Sequence, residues 1–331
     1  MLSYILKRIC LMIPVILGVT ILVFTLMQMA PSDPAETILG NTATAEQKEA
    51  LREELGLNDP FIVQMGRYLK QIFLHFDFGK SYITNVDIAG ELASRFPKTL
   101  VFAVSGMVLS LLIGIPLGVL AATHQNSLLD YGSMGLTLIG TSLPGFWFAL
   151  VLILLFNAEL GWLPAYGIGG LKYWILPVAS TAFAGVTTMA RQMRSGMLEV
   201  IRADYITMAK AKGVKKRSLV YRHALPNALI PVVTVASMSF GTSLGGTLIA
   251  ETIFSIPGVG VYIVNAVNNR DYPVVQGGVI LLAITFSIIM LLTDLLIAAI
   301  DPRVKAGMSE GRKRKKKNAA SNSESEEVQA A

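Results

Sequence analysis

Residues 199–226 read EVIRADYITMAKAKGVKKRSLVYRHALP and lie between two long apolar runs. The spacing predicts a polar helix, a break at Gly213 and a short basic helix leading to Pro226 at the start of the next apolar run. Glycine suits the left-handed residue that ends a helix, and proline suits a first helical turn, where its missing N–H costs nothing. If both flanking runs cross a membrane, a short helix thrust out between them is a mechanical handle. A partner gripping it would move two membrane helices together.

The flanks decide the fold. Six segments, roughly 9–30, 98–122, 131–157, 174–190, 227–250 and 274–300, are apolar over about the 20 residues a helix needs to cross ~30 Å of hydrocarbon. The fourth is the weakest, diluted by Pro177 and by several Ser, Thr and Gly. The first could be mistaken for a signal peptide, because Lys7 and Arg8 precede it. Its core from Ile9 to Met27 exceeds the ~7–15 residues of a signal h-region, and no A-x-A site follows, so it reads as a retained anchor. Composition agrees: charged residues are 15% of the 331, against about 25% in soluble domains. Such a chain is neither a soluble globule nor a disordered one. The single cysteine, Cys10, excludes an intramolecular disulfide framework and a cysteine-cluster metal site. The expected fold is an all-α integral membrane protein with six transmembrane helices.

Charge placement orients it. The connection 191–226 holds nine Lys/Arg against Glu199 and Asp204, and the tail from Asp301 holds eight. With Lys7 and Arg8 these lie on one side of a six-span chain, which the positive-inside rule makes the cytoplasm. Both termini are then cytoplasmic in a multi-pass protein of the cell membrane.

Four regions follow: the N-terminus with the first span (1–30), an extracytoplasmic helical insertion (31–97), a core of five spans (98–306) and a basic tail (307–331). In the insertion, Thr44 and Gln47 fit a capping box, with the helix ending near Gly56. A second helix follows Pro60, with Phe61, Met65, Tyr68, Leu69, Ile72 and Phe76 on one stripe. Together they read as a small cap on the outer membrane face. The tail carries an unbroken basic run, Arg312 to Lys317, then a polar tract that cannot bury a core. Beside a membrane span such a run favours anionic lipid headgroups over nucleic acid, and no nucleic-acid partner is expected.

Several catalytic patterns fail. Gly241, Ser243 and Gly245 match G-x-S-x-G, but the histidines are His75, His124 and His223, none within a span, so no base stands near. The glycines instead suit close helix packing, as do Gly114 and Gly118 around Pro116. There is no P-loop and no H-E-x-x-H. Asp294, near the cytoplasmic end of the sixth span, reads as one half of an ion pair with an interfacial Lys or Arg rather than as a proton site.

The 199–226 stretch resembles the EAA loop of binding-protein-dependent ABC importer permeases, roughly E-A-A-x3-G-x9-I-x-L-P. Ala209, Gly213, Leu225 and Pro226 match at the expected spacing, while Thr207, Met208 and His223 depart from it. The form here is similar to that of the dipeptide/oligopeptide branch: Asp204-Tyr205-Ile206, Ala209-Lys210-Ala211-Lys212-Gly213, Arg222-His223-Ala224 and Asn227-Ala228-Leu229-Ile230-Pro231. The B-type subunit of that branch is also resembled at Gly18-Val19-Thr20, Asp33-Pro34-Ala35, Phe78-Gly79-Lys80-Ser81, Glu251 through Gly260, Arg270-Asp271-Tyr272-Pro273 and Asp301-Pro302-Arg303.

This resemblance implies a type I importer permease that moves dipeptides or short oligopeptides. Its relatives also carry nickel or metal chelates, glutathione and other small solutes. The implied partners are a C-type permease subunit, two cytoplasmic ABC ATPases and an extracytoplasmic substrate-binding protein. ATP and Mg would sit on the ATPases, with no cofactor on this chain and no enzymatic step of its own. Asp204, Ala209, Lys212, Gly213, Leu225 and Pro226 are the implied ATPase-coupling residues. Glu251 and Arg270, in one outside loop, are expected to form a gate or an ion pair.

Overall fold

The computed structural model describes residues 2–30, 33–40 and 42–300. The basic tail and the Asp301-Pro302-Arg303 motif lie outside the described residues. Helix α1 (Leu2–Met29) is followed by three short helices, α2 (Pro34–Leu39), α3 (Ala45–Leu55) and α4 (Phe61–His75). The capping box is present: Thr44 Oγ1 accepts from the Gln47 N–H at 3.3 Å, and Gln47 Oε1 accepts from the Thr44 N–H at 2.9 Å. Gly56 ends α3 at φ 64°. Arg52 on α3 reaches back to Asp33, the N-cap of α2, at 2.6 Å. Phe76 departs from the expected stripe. It ends α4 in the left-handed region and stands 80% exposed.

The next helix, α5 (Ile88–Thr123), begins ten residues before the apolar run that marks the second span. Asp87 accepts from the Gly90 N–H and caps it. Apolarity shows where hydrocarbon begins, whereas a cap shows where a helix begins. The boundary expected at residue 97 therefore cuts through a continuous helix.

The third span is not straight. Helix α6 (Leu128–Ser142) and helix α7 (Gly145–Ile153, running into a π-helical turn at Leu154–Glu159) meet at 99°. Proline disfavours the α conformation in the residue before it. Leu143 accordingly sits at ψ 129°, ahead of Pro144. Helix α8 (Leu171–Ile201), α9 (Asp204–Ala211), α10 (Lys216–Ser218), a second π-helical turn (Leu219–Ala224), α11 (Leu225–Ile253), α12 (Val259–Asn268) and α13 (Tyr272–Ile300) complete the described chain. Among the described residues the β contribution is a single bridge between Lys80 and Asp87.

By length and composition four helices qualify as membrane spans, and five with the bent pair taken as one. Helix α8, the expected fourth span, is long enough but too polar to qualify. The reason is its place in the bundle. It packs against α5, α6, α7 and α11, and Ser180 and Thr187 are buried there. On α5 the small residues Gly106, Ser110, Gly114 and Gly118 line the contact. A Cβ on Gly114 would lie 2.7 Å from Met189 Cβ, and one on Gly118 would lie 2.5 Å from the Ala190 carbonyl oxygen. Ser110 Oγ donates to the Ala182 carbonyl at 3.0 Å. Small side chains let backbones approach where hydrophobic burial cannot drive helices together.

The first and last helices are tied by Arg8 and Asp294 at 2.7 Å, the expected ion pair with its basic partner now identified. Helices α11 and α13 meet through Thr293 Oγ1 donating to Ser237 Oγ at 2.6 Å. Tracing the helices places α9, the start of α1 and the end of α13 at one end of the bundle. The insertion and the α11–α13 connection lie at the other.

Candidate functional site

The loop after α8 is built by local rules. Arg202 and Ala203 separate α8 from α9, and α9 ends in a Schellman motif. The Val214 N–H donates to the Ala209 carbonyl at 3.2 Å and the Gly213 N–H to the Lys210 carbonyl at 3.0 Å, with Gly213 at φ 80°. This geometry fixes Ala209 and Gly213 four residues apart, because the six-to-one bond must span one left-handed residue. Ala209 and Val214, the pair that closes the motif, pack on one core cluster with Ile206, Leu219, Val220, Ala224, Met193 and Met197. Leu225 joins the same cluster. The inner face of the loop is therefore part of the bundle core.

Its other face is open. Asp204, Lys212 and Pro226 are exposed, as are Tyr205 and Met208. Met208 is 66% exposed on a helix that buries Ile206. The Tyr205 hydroxyl accepts from Asn227 Nδ2 at 2.9 Å, pinning α9 to the first turn of α11. Tyr205, Met208 and Asn227 escaped the sequence reading as site residues. Their signal is helical spacing: an exposed Tyr205 and Met208 beside a buried Ile206.

Pro226 lies near the start of α11, as expected, but the chain before it is already helical. The π-helical turn at Leu219–Ala224 precedes it, and Ala224 itself has helical dihedrals. A proline inside a helix removes one bond and crowds the carbonyl four residues back. A widened turn at that place relieves both effects. The break between basic helix and span is thus a change of pitch.

A cavity of about 440 Å³ lies between α5, α7, α8 and α11. Gly106, Ser110, Thr181, Thr188, Ser243 and Phe146 are among the residues around it, and none of its lining residues is charged. Ser243 Oγ donates to the Ser239 carbonyl of its own helix at 2.8 Å. It is exposed at the cavity wall, with its hydroxyl turned back on its own helix. Among the described residues no group of three His, Cys, Asp or Glu side chains is placed to hold a metal ion.

At the far end of the bundle the expected Glu251–Arg270 ion pair is not formed. Glu251 is fully buried. Its Oε1 accepts from the Thr99 hydroxyl at 2.7 Å and its Oε2 from the Val261 N–H at 3.0 Å. Thr99 Oγ1 in turn accepts from the Val259 N–H at 2.8 Å. The carboxylate thus caps the N-terminus of α12 from the end of α11, where backbone N–H groups and the helix dipole favour negative charge. Gly258 and Gly260 make room for it, since a Cβ on Gly260 would lie 2.8 Å from Oε2. Arg270 is exposed at φ 59°. Its neighbour Asp271 makes the long-range contacts, accepting from the Ser81 hydroxyl and from the Tyr82 N–H at 3.0 Å. Burial, with Asp271 close by, pushes the Tyr82 phenol up to about 12.

A helical membrane bundle with an uncharged cavity and an exposed helix docked on its core between two spans defines a transport subunit that works with partners. The chain belongs to the binding-protein-dependent transport system inner membrane component family, which matches residues 114–306, and the N-terminal family of the same systems matches 1–103. It is a permease subunit of an ABC importer, whose assembly includes membrane and ATPase partners. It is 41% identical to a dipeptide transport system permease protein of Alkalihalophilus pseudofirmus, over 92% of this chain and 100% of that one. It is 41% identical to a putative peptide transport system permease protein of Brucella abortus, covering 92% and 99%. Identity to a glutathione transport system permease protein of Salmonella paratyphi A is 39%, again covering 92% and 99%. Among solved structures, an inward-facing form of the MetNI methionine ABC transporter shares the fold, with a TM-score of 0.55 and 20% identity over 63% of this chain and 96% of that one. The gap between the two family segments, residues 104–113, falls inside α5, the helix that joins the insertion to the core.

Proposed function

We propose that this chain is one of two membrane subunits of an importer for dipeptides or short oligopeptides. It forms half of the translocation pore with a related C-type permease. Two cytoplasmic ATPases carry ATP and Mg and grip the exposed face of α9. An extracytoplasmic binding protein delivers substrate at the opposite end. Both termini and the α9 loop face the cytoplasm, in line with their Lys/Arg content. The observation that carries the reading is the two-faced loop: Asp204 and Lys212 stand open to a partner, while Ala209, Val214 and Leu225 are set in the core. Force applied to α9 then passes directly into α8 and α11, two walls of the cavity. An uncharged lining suits cargo with varied side chains, because no fixed charge selects among them. Peptide cargo is supported by the names of the two 41% identical relatives. The glutathione permease relative favours a second reading in which that tripeptide is the cargo.

The test uses the assembled importer in proteoliposomes. Ala209→Glu places a charge where the loop meets the core, so ATP hydrolysis should stop responding to loaded binding protein while the permease remains in the membrane. Unlabelled dialanine and glutathione, added in competition during uptake, separate the two cargo readings. Wild-type stimulation in Ala209→Glu would remove the coupling role.

A further inference from the structure

Helix α4 carries an apolar surface that the described chain leaves open. Ile62 is 80% exposed and Leu74 68%, with Val63 at 48% on the same flank. In a solvent-facing cap such a flank would be unfavourable, and the position of α4 explains it. Arg8, paired with Asp294, marks a polar level near the start of α1. Gln28 lies twenty residues further on, about 30 Å along a helix, which is the thickness of the hydrocarbon layer. Gln28 Nε2 donates to Gln64 Oε1 of α4 at 2.9 Å. One turn deeper, the Phe24 ring stacks on Tyr68 of α4 at 5.0 Å and meets Phe61 at 5.8 Å. Helix α4 therefore lies beside the last turn of α1, level with the hydrocarbon edge, and not above it.

The arrangement around α4 fits that depth. At 3.6 residues per turn, Gln64, Arg67, Gln71 and His75 occupy one sector. Phe61 and Tyr68 face α1, and Ile62, Val63 and Leu74 take the side away from α1. We infer that α4 is an interfacial helix whose Ile62–Leu74 flank contacts lipid acyl chains in the leaflet at the Met29 end of α1. Lys70 falls between Ile62 and Leu74 on this side and is exposed, so its stem lies along the chains while its ammonium reaches the headgroups. An amphipathic helix of this kind binds by buried apolar area in the plane of the interface. The insertion is thereby anchored to the bilayer as well as to α1, which limits how far it can tilt when a partner docks.

The full-length chain in Cys10→Ser background, with its partner subunits in phosphatidylethanolamine/phosphatidylglycerol vesicles, supplies the test. Single cysteines at Ile62, Val63 and Leu74, and at exposed Glu53 on α3 for contrast, receive nitroxide labels. The three sites are open side chains, so labelling displaces no core contact, and any one that assembles gives a reading. Oxygen should relax the labels at 62, 63 and 74 several-fold more, relative to a water-soluble nickel chelate, than the label at 53. Equal chelate access at all four would overturn the inference. So would chelate access lost only when the binding protein is added, which would assign the flank to that protein.

Discussion

At Gly213 a single residue sets the shape of the loop between α9 and α10. Its φ of 80° falls in the left-handed region, and an added Cβ would meet nothing within 4 Å. The cost of Gly213→Val is therefore backbone strain alone, about 1–2 kcal/mol. That strain falls on the loop and not on the spans. The expected outcome is normal membrane insertion with weaker ATPase retention, read by co-purification after mild detergent extraction. Glu251 is the opposite case, a side chain whose partners are remote in sequence. Glu251→Met keeps the length but removes both acceptors, leaving the Val261 N–H and the buried Thr99 hydroxyl without their partner. A buried donor left unsatisfied costs about 1–3 kcal/mol. Thr99→Val should destabilise through the same network, so the double variant should lose less than the sum. Thermal unfolding of the purified assembly measures this, and strict additivity would separate the two residues. The sequence shows Gly213 because a Schellman turn is local. It misleads on Glu251 because Thr99 lies 152 positions away, whereas Arg270, nearby in sequence, offers an obvious but unused charge.

Among elements, α8 is one of the two helices that the proposed coupling loop joins, and it is fastened on two sides. Small residues of α5 hold one side. On the other, Arg194 of α8 donates to Asp130 of α6 through Nε at 2.6 Å and NH2 at 2.8 Å. Asp130 is 2% exposed and also accepts from the Asn126 N–H at 3.0 Å. Arg194 is 26% exposed, so losing its partner costs less than the about 3–5 kcal/mol of a fully buried pair. Asp130→Asn should therefore lower the yield of assembled importer. The exchange Asp130→Arg with Arg194→Asp should recover part of it if the pair is what joins α6 to α8. No recovery would assign the role of Asp130 to its bond with Asn126. The close approach of α5 and α8 is legible in the Gly114/Gly118 spacing. The 99° bend between α6 and α7 is less so, because hydropathy sees one apolar run across Leu143 and Pro144 and cannot register a change of direction.

For the molecule as a whole, the orientation expected from charge is open to direct measurement. With Cys10 replaced, single cysteines at Asn58 and Ser218 should react from opposite sides of the membrane. Labelling of both by an impermeant reagent in intact cells would overturn the six-span topology. The helical insertion, the apolar runs and the Asp294 ion pair could be read from sequence because each rests on local pattern or on one costly buried charge. The start of α5 at Ile88 and the use of Asp271 in place of Arg270 could not, because both depend on how distant segments meet.

The polarity of α8 has a consequence for biosynthesis. A segment too polar to qualify as a span by itself partitions weakly from the translocation channel into lipid. Its Ser180 and Thr187 become tolerable once neighbouring helices surround them. Helix α5 leaves the ribosome first and carries the groove of Gly106, Ser110, Gly114 and Gly118 into which α8 fits. The order of elements along the chain thus supplies a template before the segment that requires one. Helix α8 enters the membrane as a guest of α5.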